Sequence, residues 1–143
     1  MISTFRKYLT PLFPIIVLIL LLTLLLSRVF RPGTDSSPEI SISYTEAYQH
    51  AGDFAEVCGE VQSSTYTYQI GGEPTFLNFG DEYPQQLFTV VIWGNNLSNW
   101  STPPAELYTD SYICVSGTIN IHNGIPQIVI SHPGSISRQP RYR

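Results

Sequence analysis

From Tyr112 to Ile121 the chain alternates between apolar and polar side chains. Ile113, Val115, Ile119 and Ile121 share one parity; Tyr112, Cys114, Ser116, Thr118 and Asn120 share the other. A period of two is the mark of a β-strand with one face buried. Asn123-Gly124 follows, and both positions tolerate the positive φ of a type I′ turn. Ile128 and Ile130 then resume the inward parity over Pro126 to Ser131. A tight hairpin at this point commits the end of the chain to antiparallel sheet, so the segments before it must supply partner strands.

Three such segments are present. Phe54 to Ser63 places Val57, Gly59 and Val61 on one parity and Glu56, Cys58, Glu60 and Gln62 on the other. Gly59 between two inward valines predicts a bend. Thr75 to Phe79 forms a second strand. Leu87 to Trp93 is apolar almost throughout, which predicts a third strand either buried on both faces or partly covered by the helix. The stretch from Asn95 to Asp110, rich in Pro and Ser, reads as an insertion with one short helical turn. Ahead of the strands, Ser43 and Glu46 have capping-box spacing, predicting a helix over Tyr44 to His50 that stops at Ala51-Gly52. The expected class is all-β. It is a five-stranded Greek-key barrel of the OB-fold type preceded by a short helix, with a small open β-sandwich as the alternative.

The segments VCGEV (57–61), PTFLNFG (74–80), FTVVIWG (88–94), YICVSGTI (112–119) and GIPQIVI (124–130) carry a resemblance. Over about Ser43 to Ile136 the chain resembles single-domain bacterial OB-fold proteins of the nucleic-acid-binding superfamily. The resemblance implies the barrel, and it implies single-stranded nucleic acid as one class of ligand.

Charge opposes that ligand. Between Pro32 and Ser137 there is no Lys or Arg, while all eleven carboxylates fall there, so this stretch carries a formal −11. The seven cations are Arg6, Lys7, Arg28 and Arg31 at the front and Arg138, Arg141 and Arg143 at the end. A phosphate backbone is held mainly by cations. A domain of this sign repels nucleic acid and anionic membrane surfaces, leaving nucleic acid a disfavoured partner.

Before the domain, Leu9 to Leu26 contains no charge, and Ile15 to Leu22 is an unbroken aliphatic run. Eighteen helical residues span about 27 Å, close to the hydrocarbon thickness of a bilayer. Pro11 and Pro14 sit near its start, where a lost N–H is harmless. The exit, Leu25-Leu26-Ser27-Arg28, lacks a small-x-small cleavage site, so the segment reads as a retained signal-anchor. The expected organisation is an anchor at 1–31, a linker at 32–42, the OB domain at 43–137 and a basic tail at 138–143. The membrane is then a partner through the N-terminal transmembrane helix, with the domain outside the cytoplasm.

Cys58 and Cys114 share the outward parity of strands that are antiparallel neighbours in an OB barrel. Side chains on the same face of adjacent strands can approach bonding distance, and the pair is expected to form a disulfide. Such a bond suits an oxidising compartment.

The sequence offers no catalytic constellation. There is no G-x-S-x-G, no HxH and no CxxC, and His50, His122 and His132 are scattered. The expectation is therefore no enzyme, no metal and no cofactor. Parity on the second and third strands, with the loop before them, proposes a ligand face of Tyr66, Tyr68, Phe76, Asn78, Thr89, Val91 and Trp93. The aromatics there could stack on bases or sugars. The functional expectation is a non-catalytic, membrane-tethered interaction module taking a protein, peptide or glycan, with single-stranded DNA binding as the alternative.

Overall fold

The computed structural model describes residues 14–23, 38 and 40–140. The chain divides into two units, Met1–Ser36 and Ser37–Arg143. In the first, residues 14–23 form a helix, α1, with exposed side chains. Among the described residues, no helix is long and apolar enough to cross a membrane. Most of the expected anchor, Arg141 and Arg143 lie outside the described residues.

The second unit is a β domain of eight short strands rather than the five expected: β1 (Ser41–Ser43), β2 (Phe54–Tyr66), β3 (Thr75–Phe79), β4 (Phe88–Ile92), β5 (Tyr112–Thr118), β6 (Asn120–His122), β7 (Ile125–Ile130) and β8 (Ile136–Arg138). Their hydrogen-bonded order is β6-β7-β4-β3-β2-β5-β8, with β1 beside β2, and the sheet is not closed. Three of the additional strands have simple origins. The alternating segment from Tyr112 breaks at Ile119, whose N–H bonds to Asp53 O at 2.9 Å, so it becomes β5 and β6. The end of the expected linker is drawn into the sheet as β1, parallel to β2. The last two residues of the expected domain, with Arg138 of the expected tail, pair with β5 as β8.

The arrangement is OB-like. The chain makes a β2–β3–β4 meander; β2 also pairs antiparallel with β5, and β4 pairs parallel with β7. β6 and β7 form the final hairpin, with Asn123 at φ 51 and Gly124 at φ 82, as a type I′ turn requires.

Inward side chains from both parts of the sheet make one core. Val57, Val61, Leu77, Phe79, Phe88, Val90, Ile92, Ile113, Val115, Ile119 and Ile128 are all fully buried. Ile121, expected in this set, is 41 % exposed because it lies beyond the break, on β6. All five residues of β4 are buried, in keeping with a sequence that is apolar apart from Thr89. The insertion forms a 3-10 turn (Gly94–Asn99) and a short helix, α2 (Pro104–Tyr108), and Trp100 Nε1 donates to Tyr108 Oη at 3.3 Å over the core.

Two local expectations change. The helix over Tyr44 to His50 is a turn followed by a 3-10 helix, Ala47–His50. Half of the capping box forms, with Ser43 N donating to Glu46 Oε2 at 3.0 Å, but the Ser43 hydroxyl accepts from Thr45 N instead of closing the box. Gly59 does not mark the irregularity in β2. That lies between Val61 and Ser63, where Gln62 is an extra residue against β3. Gly59 instead makes room for an aromatic ring: a Cβ there would lie 2.3 Å from Tyr44 Cδ1 and 2.9 Å from Phe79 Cδ1.

Candidate functional site

The bulge at Gln62 decides which residues of β2 can meet a ligand. Inserting one residue exchanges the two faces of a strand beyond it. Val61 is a core residue, yet Ser63 pairs with Asn78 and Thr65 with Phe76, on the opposite face. The same exchange carries Tyr66 away from that face.

Across the outer face runs a continuous polar row. Ser63 is opposite Asn78, Asn78 opposite Thr89, Thr89 opposite Gln127, and Gln127 opposite Asn120. Five strands each contribute one uncharged polar side chain. The Thr89 hydroxyl donates to Asn78 Oδ1 at 3.2 Å, and Asn78 Nδ2 donates to Ser63 Oγ at 3.3 Å. Asn78 and Thr89 are only 3 % and 5 % exposed. A second row beside it, Thr65, Phe76, Val91 and Val129, is mainly apolar.

Asn78, Thr89 and Gln127 form part of the lining of a groove of about 690 Å³, within the range of small-molecule sites. Phe76 and Thr65 contribute from the apolar row, with Thr67 and Ile70 from the following loop. The β6–β7 hairpin adds His122, Asn123 and Ile125. The loop between β3 and β4 supplies Tyr83, Pro84 and Gln86. None of these lining residues is Asp, Glu, Lys or Arg. Carboxylates lie close in sequence instead, as Asp81 and Glu82 beside Tyr83 and as Glu73 in the loop before β3.

Gln86 is the odd member. The residue is only 9 % exposed. Its Oε1 has no hydrogen-bond partner, and it is the one such buried side-chain atom among the described residues. An unpaired buried acceptor costs about 1–3 kcal/mol.

Of the seven residues proposed from sequence, Phe76, Asn78 and Thr89 line this groove. Val91 lies on the same face but is 2 % exposed. Trp93 and the two tyrosines do not line it. Trp93 packs over Gly72, where a Cβ would come within 2.9 Å of the indole, and Gly94 N bonds to Gly72 O at 2.8 Å. Tyr66 donates its phenol to Glu73 Oε2 at 2.9 Å, which raises its pKa above the usual 10.0. Hydrogen bonding to the carboxylate is the main cause, followed by slight desolvation and by Coulombic repulsion from Glu73. Tyr68 stands 70 % exposed on the loop. Gln127 was legible as an outward residue of the last strand. Gln86 and Tyr83 lie in an irregular loop whose sequence carries no periodicity to place them.

Away from the groove, Cys58 and Cys114 are directly opposite in the β2–β5 register and are bonded, with Cα atoms 4.0 Å apart. Among the described residues one group of metal-ligand types comes together, Glu56 with these two cysteines, and both sulfurs are engaged with each other. The histidines have local roles: His50 Nδ1 lies 3.1 Å from Asp53, His122 contacts Asn123, and His132 Nδ1 accepts from Gly134 N at 3.0 Å. Arg138 belongs to the fold rather than to a tail. It pairs with Ile113 and donates to the Ser111 hydroxyl at 2.9 Å, at the β5–β8 end of the sheet order and not in the groove lining.

No family model matches the chain, and no curated protein matches it. Among solved structures, it is similar to part of an aspartyl-tRNA synthetase assigned in Leishmania major Friedlin. The match has a TM-score of 0.43 and 12% identity over 76% of this chain and 22% of that one. An aspartyl-tRNA synthetase from Entamoeba histolytica gives a TM-score of 0.41 and 13% identity over 66% of this chain and 20% of that one. The chain thus corresponds to about a fifth of the length of each.

Proposed function

We propose that this protein is a non-catalytic binding module whose outer-face groove takes an uncharged polar ligand, a peptide or a glycan. One observation carries the reading: a groove of about 690 Å³ is lined by thirteen residues, none of them Asp, Glu, Lys or Arg. Its floor offers fixed hydrogen-bonding groups, and Phe76 and Tyr83 offer aromatic surface. Such a site rewards shape and hydrogen bonds, and it gives a polyanion nothing to exchange for its counterions.

The module is held at a membrane by the apolar segment Leu9 to Leu26 and faces the space outside the cytoplasm. The unbroken aliphatic run of that segment and the Cys58–Cys114 bond support this placement. Cleavage of the domain by protease added to intact cells is the expected result. Protection until lysis would place it on the cytoplasmic side.

Single-stranded nucleic acid is the second reading, supported by the OB-like topology, since such sheets commonly bind oligonucleotides. Fluorescence anisotropy with labelled single-stranded DNA, on the full chain in detergent at about 50 and 150 mM salt, separates the two. The binding-module reading expects no binding at the higher salt. Tight binding that persists there would replace it with the second reading.

A further inference from the structure

We infer that Glu56 makes the Cys58–Cys114 bond selective among thiols, favouring exchange with those that carry a positive group over those that carry a negative one. The bond lies where four strands meet, apart from the groove lining. Ser43 of β1 pairs with Cys58, Cys58 with Cys114, and Cys114 with Ser137 of β8. Cys58 is half-buried and Cys114 is 6 % exposed, so an incoming thiol meets Cys58 first. Glu56, two residues back on the same face, brings Oε2 to 4.0 Å from Cys58 Sγ. A carboxylate oxygen of Glu56 and both sulfurs lie within 4.8 Å of one another. The Ser41 hydroxyl donates to Glu56 Oε2 at 3.0 Å and stands 3.7 Å from Cys58 Sγ, so the carboxylate is held beside the bond. By register, the same face carries Ser41, Ser43, Glu60, Tyr112, Ser116 and Ser137 around the bond, with no Lys, Arg or His. Arg138 pairs with Ile113, on the other parity, and gives its guanidinium to Ser111.

Exchange begins with a thiolate, R–S⁻, which attacks Cys58 Sγ. A mixed disulfide forms, and Cys114 leaves as a thiolate that takes a proton from water. A second R–S⁻ then attacks the sulfur of the mixed disulfide that came from the first thiol. R–S–S–R forms, and Cys58 is released as a thiolate that is protonated in turn. Two thiols are thereby oxidised and the protein bond is reduced. The attacking and leaving sulfurs are both negative and both lie beside Glu56, so its carboxylate opposes the step. An ammonium a few bonds from the attacking sulfur brings a cation to Glu56 and offsets that repulsion; a sulfonate adds to it. Over about 4–6 Å in partly solvated surroundings, one unit of charge changes such a rate roughly three- to tenfold. The consequence is a bond that outlasts small anionic thiols yet yields to a thiol reductant that approaches with positive charge.

The test follows reduction of the full chain in an uncharged detergent at about 20 mM ionic strength, with freed thiols trapped and the product weighed by mass spectrometry. The reductants are cysteamine, mercaptoethanol and mercaptoethanesulfonate, each rate divided by that thiol's rate on hydroxyethyl disulfide. On the parent, cysteamine should exceed mercaptoethanesulfonate by about tenfold or more. Glu56→Gln should lower that ratio by about threefold or more, and Glu56→Lys should lower it further. Glu106→Gln removes the same charge from α2 and should leave the ratio near the parent value. The parent alone is decisive even where a variant fails to fold: equal normalised rates for the three thiols would overturn the selectivity. A ratio that Glu56→Gln leaves unchanged would overturn the role of Glu56. A ratio that Glu106→Gln lowers as much would do the same, since the selectivity would then belong to the net charge of the domain.

Discussion

Thr89 and Asn78 face each other across β3 and β4, and the threonine hydroxyl holds the asparagine carbonyl oxygen at 3.2 Å with both residues buried. The bond fixes which way the amide presents itself in the groove, so it ties the stability of the domain to the shape of its candidate site. Replacing Thr89 by Val keeps the volume and strands the Asn78 oxygen. The expected loss is about 1–3 kcal/mol in urea unfolding, larger than the loss when Asn78 is also made Leu.

Cys58 and Cys114 close a loop with a sequence separation of 56. On the chain-entropy model, such a closure is worth about 4 kcal/mol. The double Cys58→Ala, Cys114→Ala variant should lose roughly that much, and reducing agent should lower the unfolding midpoint of the parent but not of the variant. Equal stability of the two forms would show that the bond contributes nothing to this fold.

Gly59 is fixed by space, because Tyr44 lies where its Cβ would be and the Tyr44 and Phe79 rings lie 6.0 Å apart by centroid. Gly59→Ala should destabilise by about 1–3 kcal/mol, as overpacking does in a tight core. The penalty should shrink when Tyr44 is also replaced by Leu, which a thermal-melt cycle over the four variants would show.

Tyr66 titrates above the usual 10.0 because its hydroxyl is given to Glu73. A folded pKa raised above the unfolded one means that the interaction favours folding below about pH 10 and is lost as pH rises through the folded value. Ultraviolet titration should show one phenol with a late midpoint, and Glu73→Gln should bring it back toward the others.

Much of this architecture is legible in the sequence, for identifiable reasons. Alternation at Ile113 and Val115, the Asn123-Gly124 turn and the shared parity of Cys58 and Cys114 are local signals that the packed domain reinforces. Phe76, Asn78 and Thr89 followed from the same alternation. Tyr66, read as part of a loop, is instead the last residue of β2 and pairs with Thr75 beyond the bulge at Gln62, and nothing in a polar stretch such as QSST announces the extra residue. Trp93 lies against Gly72, far from it in sequence, and outside the groove lining. Strands β1 and β8 carry three residues each, too few to show a period. Gln86 lies in the irregular loop between β3 and β4, where no periodicity places a side chain.

No Asp, Glu, Lys or Arg lines the candidate groove, and the most telling experiment maps that groove while a polyanion is offered. An amide-shift titration of the labelled full chain with a single-stranded oligonucleotide, at about 150 mM salt, should leave Asn78, Thr89 and Gln127 unmoved. Saturable shifts at those three residues would contradict the binding-module reading.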